Sequence, residues 1–345
     1  MKNIRINQMY AHESATICLK LLNNPEIRTL FILNEDDQMV GTVTDGDIRR
    51  GLLSGLNISN SISDFMFKDF ISISDSFSLE DIKTLKANGV DLVPVLNQDK
   101  KIIRIVDLSK KKSLLPVDVV LMAGGEGRRL RPLTDNTPKP LLKVGGKALI
   151  DYNLQRFSDF GIENVNISIN YLAKKVVDHV NELDHGLYVN FIHEEKSLGT
   201  IGCLNLLSSI KNEYILLMNA DILTTLDFED FFLDFIQKGS DFSVASISYN
   251  VNVPYGILEI HKDDVLTLKE KPTYKYQANA GIYLMKKEVL QHLGKQDFYN
   301  ATDFMLDLIK LGKKVSYYNI VDYWLDIGKI DDFEKAQTDI LHLKM

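Results

Sequence analysis

Two cysteines in 345 residues, Cys18 and Cys203, stand far apart and without metal-ligand spacing, so no disulfide framework can be drawn and no zinc site is expected. Both are expected to be reduced, buried thiols. No apolar run approaches the length of a membrane span, and Met1-Lys2-Asn3-Ile4-Arg5 is not followed by a signal-peptide apolar segment. A cytoplasmic protein without membrane contact is the expectation. Two familiar glycine motifs are also missing. A P-loop needs Gly-Lys-Ser/Thr to reach phosphate and magnesium, and Gly146-Lys147 is followed by Ala148. A dinucleotide fingerprint needs a third glycine where Leu130 stands.

What is present is ordinary in bulk and uneven in distribution. The length suggests two or three domains, and 45% apolar with 25% charged residues suits a soluble globular chain. Residues 1–115 carry fifteen basic and fifteen acidic side chains, so the net charge of −7 belongs to the rest. Within that acidic remainder, residues 124–147 hold six basic against two acidic groups. An acidic surface repels nucleic acid, whereas one local basic loop suits a small anionic substrate.

That loop closes the most informative stretch. Val117 to Met122 reads as a buried parallel strand and breaks at Gly124-Gly125-Glu126-Gly127. Glycines there leave successive backbone N–H groups uncovered, and Arg128, Arg129, Arg131, Lys139, Lys143 and Lys147 add positive charge, so the loop can wrap a polyphosphate.

Leu-Met-Ala-Gly-Gly-Glu-Gly-Arg-Arg-Leu-Arg-Pro-Leu-Thr, followed by Pro138-Lys139-Pro140-Leu141, resembles the signature of the sugar-phosphate nucleotidyltransferases. The resemblance implies a nucleotide-binding role for Gly124, Gly125 and Gly127, a catalytic arginine at Arg129 and a phosphate-binding catalytic lysine at Lys139. The family usually has Thr or Ser where this chain has Arg128.

The first third shows an internal repeat: helix, strand, turn, strand, once through Ala15–Leu22, Thr29–Leu33 and Met39–Arg50, again through Leu79–Ala87, Leu92–Leu96 and Ile102–Leu108. It resembles a pair of cystathionine β-synthase (CBS) domains, over residues 1–112. The likeness implies a regulatory adenine-nucleotide site at Thr44 and Asp47. Aligned with a period of 63, Asp107 falls opposite Thr44 and Lys110 opposite Asp47, so the second half-site is degraded. Equally, the pair could serve only dimerisation or stability. A short solvated linker, 113–116, precedes the transferase domain at 117–345.

Beyond the loop, helical spacing over Leu149–Phe160, Tyr171–Leu183 and Thr200–Ser209 alternates with strands at Val165–Ile169, Tyr188–His193 and Tyr214–Met218. This rhythm predicts an α/β fold with a doubly wound, mostly parallel sheet, and ligands beyond its strand carboxyl ends. The resemblance makes it a Rossmann-like, GT-A-like sheet behind an α/β CBS pair.

Asp221, just past the apolar strand Ile215–Met218, falls at that carboxyl edge, where a hard magnesium ion wants carboxylate oxygens. By resemblance its metal-binding partner is Asp326, in Tyr323-Trp324-Leu325-Asp326. Resemblance also gives Gly199, Thr200 and Asn170 to the nucleotide, and Gly256, Glu270, Lys271 and Asn279 to the sugar phosphate. Thr200 could equally be a helix N-cap.

The implied reaction has a sugar 1-phosphate oxygen attack the α-phosphorus of a nucleoside triphosphate, expelling pyrophosphate. A sugar phosphate is already ionised at neutral pH, so no Ser-His-Asp machinery is required, and His193 and His261 are expected to be structural or surface residues. Paired CBS domains ahead of the transferase resemble the guanylyltransferases that activate glucosamine 1-phosphate for legionaminic-acid-type nonulosonate synthesis, and the choice of GTP and amino sugar is what that resemblance implies. Other bases, mannose 1-phosphate and phosphocholine stay open, as does a non-catalytic nucleotide sensor. Paired modules of this kind imply a homo-oligomer.

Overall fold

The computed structural model describes residues 7–74, 77, 79–294 and 298–343. They form two compact units that divide between Leu114 and Leu115.

In the front unit, strand β1 (Gln8–Tyr10), helix α1 (Ala15–Leu22), β2 (Leu30–Leu33) and β3 (Met39–Val43) precede helix α2 (Asp45–Leu53). The second copy supplies β4 (Ile73–Ser74), α3 (Leu79–Ala87), β5 (Leu92–Leu96) and β6 (Ile102–Asp107). Each copy is a three-stranded sheet whose first strand runs parallel to the second and whose second is antiparallel to the third. The repeat extends to the hairpin turns. Asn34 Oδ1 accepts from Asp36 N and Gln38 N (3.1 and 2.9 Å), and Asn97 Oδ1 accepts from Asp99 N and Lys101 N (3.0 and 2.9 Å). Asp37 (φ 62°) and Lys100 (φ 61°) then take the left-handed conformation at positions 63 apart.

The boundary between the units departs from the expected solvated linker. Lys86 Nζ donates to the carbonyls of Lys111 and Lys112 (2.5 and 2.7 Å), and Ser113, Leu114 and Leu115 are buried. Two leucines side by side carry more apolar surface than water accommodates cheaply, so this stretch is buried.

The second unit is built on a seven-stranded sheet. Strand β7 (Val117–Met122) is followed by the short hairpin β8 (Lys143–Val144) and β9 (Lys147–Ala148), helix α4 (Leu149–Asp159), β10 (Asn164–Ile169), α5 (Ala173–Asn181) and β11 (Tyr188–His193). Then come β12 (Tyr214–Asn219), β13 (Ile222–Thr224), α6 (Phe228–Lys238), β14 (Phe242–Asn252), the hairpin β15 (Ile257–His261) and β16 (Asp264–Lys269), and β17 (Thr273–Lys286). After these come α7 (Ala301–Lys310), β18 (Val315–Ile320), β19 (Trp324–Asp326) and α8 (Ile330–Asp339). The strand order is β11-β10-β7-β12-β17-β14-β18, parallel at every pairing except those of β17. Buried Val119, Val120 and Leu121 make β7 the apolar centre of that sheet. Its one acid, Asp118, is buried because Lys211 N and Asn212 Nδ2 donate to it (2.5 and 2.8 Å).

Helical spacing over 200–209 is not realised. Only a five-residue 3₁₀ turn, Gly202–Leu206, forms there. The backbone before it bonds elsewhere: Tyr299 N donates to Leu198 O (2.9 Å) and Ile201 N to Tyr299 O (3.1 Å). Thr200 is indeed a cap, but of a distant helix, since its Oγ1 accepts from Ala301 N, the first residue of α7 (2.8 Å).

Candidate active site

Register decides what meets at the sheet's carboxyl edge. Met122 pairs with Ser168 and with Asn219, so the chain leaves the sheet at nearly one level at Gly124, Asn170 and Asp221. Antiparallel β17 opposes Met218 with Ile282, which brings Asn279 and Gly281 to the same edge. Gly281 (φ 70°) leaves room there, since a methyl group on it would lie 2.8 Å from Asn219 Nδ2.

The glycine loop is held from below. Leu130 is fully buried among Leu142, Val144, Leu223 and Ile327, and Gly127 O accepts from Leu130 N (2.9 Å) and Thr134 Oγ1 (2.8 Å). Gly127 (φ 63°) is required by this turn, because a Cβ would stand 2.9 Å from Thr134 Cγ2. Gly125 has no such reason: a methyl there meets nothing within 4 Å. A glycine that neither conformation nor packing demands leaves its backbone open to a ligand.

Asp221 and Asp326 converge. Strands β13 and β19 pair with Ile222 opposite Asp326, and Ile327 N donates to Asp221 O (3.1 Å). Lys139, only 8% exposed, sits in a 3₁₀ turn between Pro138 and Pro140 and bonds through Nζ to Asp221 Oδ2. Arg129 lies beside Asp326, and Gly328 makes this possible, since a Cβ on it would stand 3.2 Å from Arg129 Nη2 and 3.6 Å from Asp326 Oδ2. Burial, then the Asp221 carboxylate, push the Asp326 carboxyl above its ordinary range; Lys139 and Arg129 pull it back, and Asp332 adds to the rise.

The remaining carboxylate oxygens, Oδ1 of Asp221 and of Asp326, are buried and have no hydrogen-bond partner. Buried polar atoms are rarely left so. Two hard oxygens of this kind fit a magnesium ion, which commonly takes one or two carboxylates and completes its shell with water and substrate phosphate. Among the described residues no group of three or more His, Cys, Asp or Glu could hold a metal, so this pair is the candidate.

The other expected residues are placed as follows. Asn170 Nδ2 donates to Glu194 O (2.5 Å), beside Gly124. Glu194 joins them without a sequence motif to mark it beyond an acid at the end of β11: it accepts from Ser168 Oγ and Leu198 N (2.9 Å for the latter). Gly199 (φ 79°) abuts Tyr299, whose carbonyl oxygen would lie 2.4 Å from an added Cβ. Glu270 stands next to Gly256, its Oε2 3.1 Å from where a Cβ would be, at the root of the exposed β15–β16 hairpin with Lys271. Asn279 reaches the sheet edge, but its side chain is engaged locally, Nδ2 donating to Tyr283 Oη (2.8 Å) and Oδ1 accepting from Gly281 N (2.9 Å). Cys203 is buried, and burial followed by the charge of Glu194 pushes its thiol up to about 12. Cys18, also free and buried, is raised to about 12 chiefly by burial.

Gly199→Ala tests how much of this is scaffold. A residue forced into φ 79° against a backbone oxygen should cost about 2–4 kcal/mol in denaturant unfolding. Gly125→Ala, with open space around it, should unfold like the wild type.

In the front unit, Thr44 and Asp47 are tied to each other. Thr44 N and Oγ1 both donate to Asp47 Oδ2 (2.8 and 2.6 Å), capping α2, and Arg50 Nη2 bonds Asp47 Oδ1 at 2.5 Å. Asp107 and Lys110, at the equivalent positions, form an ion pair at 3.0 Å. An open cavity of about 500 Å³ in this unit is lined by Met39, Val40, Phe70, Ile73, Leu96 and Lys100 among others, and not by Thr44 or Asp47.

Comparison with known proteins adds the following. A family model described as nucleotidyl transferase matches residues 118–342, and a CBS domain model matches residues 9–54. A putative mannose-1-phosphate guanyltransferase of Sulfolobus acidocaldarius is 31% identical over 232 residues, 66% of this chain; the chain spans 64% of that relative's length. A D-glycero-alpha-D-manno-heptose 1-phosphate guanylyltransferase of Aneurinibacillus thermoaerophilus is 25% identical over 66% of this chain and 99% of its own. The crystal structure of HddC from Yersinia pseudotuberculosis complexed with GMP-PN matches at a TM-score of 0.51 with 28% identity, over 65% of this chain and 99% of that one. No helix among the described residues is long and apolar enough to cross a membrane.

Proposed function

The chain belongs to the nucleotidyl transferase family, and from that membership we propose that it joins a nucleoside triphosphate to a sugar 1-phosphate with release of pyrophosphate, using GTP and glucosamine 1-phosphate. One observation carries the reaction class: two buried carboxylate oxygens without partners stand beside Arg129 and Lys139 at the end of a glycine loop.

Each group has a task in the transfer. Gly125 leaves backbone free for the polyphosphate, Arg129 and Lys139 offset charge developing on the phosphates, and Asp221 and Asp326 would hold magnesium. The metal, when bound, neutralises phosphate charge and fixes phosphate orientation. The sugar phosphate is its own nucleophile, so the protein aligns rather than abstracts. Gly124, Asn170, Gly199 and Thr200 border the base and ribose, and Gly256, Glu270, Lys271 and Asn279 face the sugar. Guanine is supported by the two guanylyltransferase relatives and the GMP-PN complex. Mannose 1-phosphate is the second choice of acceptor, on the printed activity of the archaeal relative. The front unit, matched in its first copy by the CBS model, binds an adenine nucleotide in this reading; at Thr44 and Asp47 the ligand has to displace Arg50.

A pyrophosphate-release screen of four triphosphates against several sugar 1-phosphates, with and without AMP or ATP, tests all three levels. The expected result is fastest release with GTP and glucosamine 1-phosphate, abolished by chelation and altered by adenine nucleotide. No release with any pair removes the transferase reading; release unaffected by AMP and ATP, with no binding of either, removes the regulatory one.

A further inference from the structure

The six cations of the 124–147 segment divide into groups with different surroundings. Arg129 and Lys139 face Asp326 and Asp221. Lys147 Nζ lies over the ring of Tyr152, 4.7 Å from its centre, and Lys143 is exposed. Arg128 and Arg131 instead face the segment's own two acids. Glu126 grips Arg128 with both oxygens, Nε to Oε2 at 2.7 Å and Nη2 to Oε1 at 3.1 Å. Arg131 lies 3.8 Å from Glu126 and 3.4 Å from Asp135.

We propose that Arg128 is an exchangeable clamp for the outer phosphates of the triphosphate and for the pyrophosphate released, held in reserve by Glu126 until the anion arrives. This rests on the transferase reading and concerns how the same loop selects its polyphosphate. A guanidinium fork matches carboxylate and phosphate equally well in geometry, so Glu126 occupies the face that two phosphate oxygens would take. Arg128 adjoins Arg129 in sequence, and the buried Leu130 fixes the backbone of both, so its reach begins one residue from the candidate centre. Both partners are well exposed, 76% for the arginine side chain and 39% for the glutamate. A solvent-screened pair of this kind is weak and yields readily to a multiply charged anion. The exchange also strands no charge, because Glu126 keeps Arg131 beside it after Arg128 leaves.

Calorimetric titration of the full chain with inorganic pyrophosphate, GTP and GMP, in magnesium buffer, tests this. Arg128→Ala should weaken pyrophosphate and GTP binding about 10-fold and leave GMP binding and the melting temperature unchanged. Glu126→Gln should tighten pyrophosphate about 2- to 5-fold. The double variant should match Arg128→Ala alone, because without the clamp there is nothing for the glutamate to withhold. Pyrophosphate binding by Arg128→Ala equal to wild type, or a Glu126→Gln gain that persists in the double variant, overturns the exchange while wild-type turnover leaves the transferase reading intact. A wild type that binds neither GTP nor pyrophosphate and releases none overturns both.

Discussion

Asp326→Asn is expected to lower turnover by about two orders of magnitude or more while raising the melting temperature of the metal-free protein at neutral pH. The two effects share a cause. Burial and the neighbouring Asp221 hold the Asp326 carboxyl above its ordinary range, with only partial relief from Lys139 and Arg129. A carboxyl whose folded pKa exceeds its unfolded one binds its proton more tightly in the folded state, so its ionisation opposes folding. That penalty is fully present above the folded pKa and fades as pH falls through it toward the ordinary carboxylate value. Asparagine never carries it, so the gain over wild type should be largest near neutrality and shrink on acidification. Thermal melts of both proteins in chelator, across pH, measure this. Added magnesium should stabilise the wild type and leave the variant nearly unmoved. Retained turnover in the variant, or a melting temperature below wild type throughout, removes Asp326 from the site.

Arg129→Ala should cost about 10²- to 10³-fold in kcat, the usual loss when one preorganised donor to developing charge is deleted. Folding should be untouched, since the residue is exposed and the loop is anchored by Leu130 instead. Arg129→Lys should recover little. The guanidinium occupies the space that a side chain on Gly328 would fill, on the same side as Asp326 Oδ2, a planar position that a compact ammonium on a flexible stem does not reproduce. Steady-state kinetics with circular dichroism as a folding control decides it: wild-type turnover in Arg129→Ala defeats the assignment, and full rescue by lysine defeats the geometric part of it.

Much of this arrangement is legible in the sequence. Strand β7, the break at Gly124 and the carboxyl-edge position of Asp221 follow from apolar patterning and glycine placement, because a buried parallel strand has few other ways to look. The 63-residue period of the front unit reappears in the Asn34 and Asn97 turns, since each asparagine closes its turn through its own side chain. Less was legible where a residue's partner is remote. Nothing near Thr200 shows that its hydroxyl caps a helix starting at Ala301. Nor does strand patterning show that β17 runs antiparallel and so delivers Asn279 to the edge. Glu194 escaped for a similar reason: its partners, Ser168 and Leu198, lie on either side of it along the chain and meet it only in the fold. The expected solvated linker is not realised because burial of the adjacent Leu114 and Leu115 outweighs what the turn-forming proline beside them dictates locally.

The single tryptophan of the chain, Trp324, stands two residues before Asp326 and donates from Nε1 to Ala280 O at 2.9 Å, tying β19 to β17. Ultraviolet emission excited at long wavelength therefore originates from one joint, the one linking a carboxylate of the candidate centre to the strand that bears Asn279. The molecule comes with its own optical probe at that joint, and no foreign dye has to be attached.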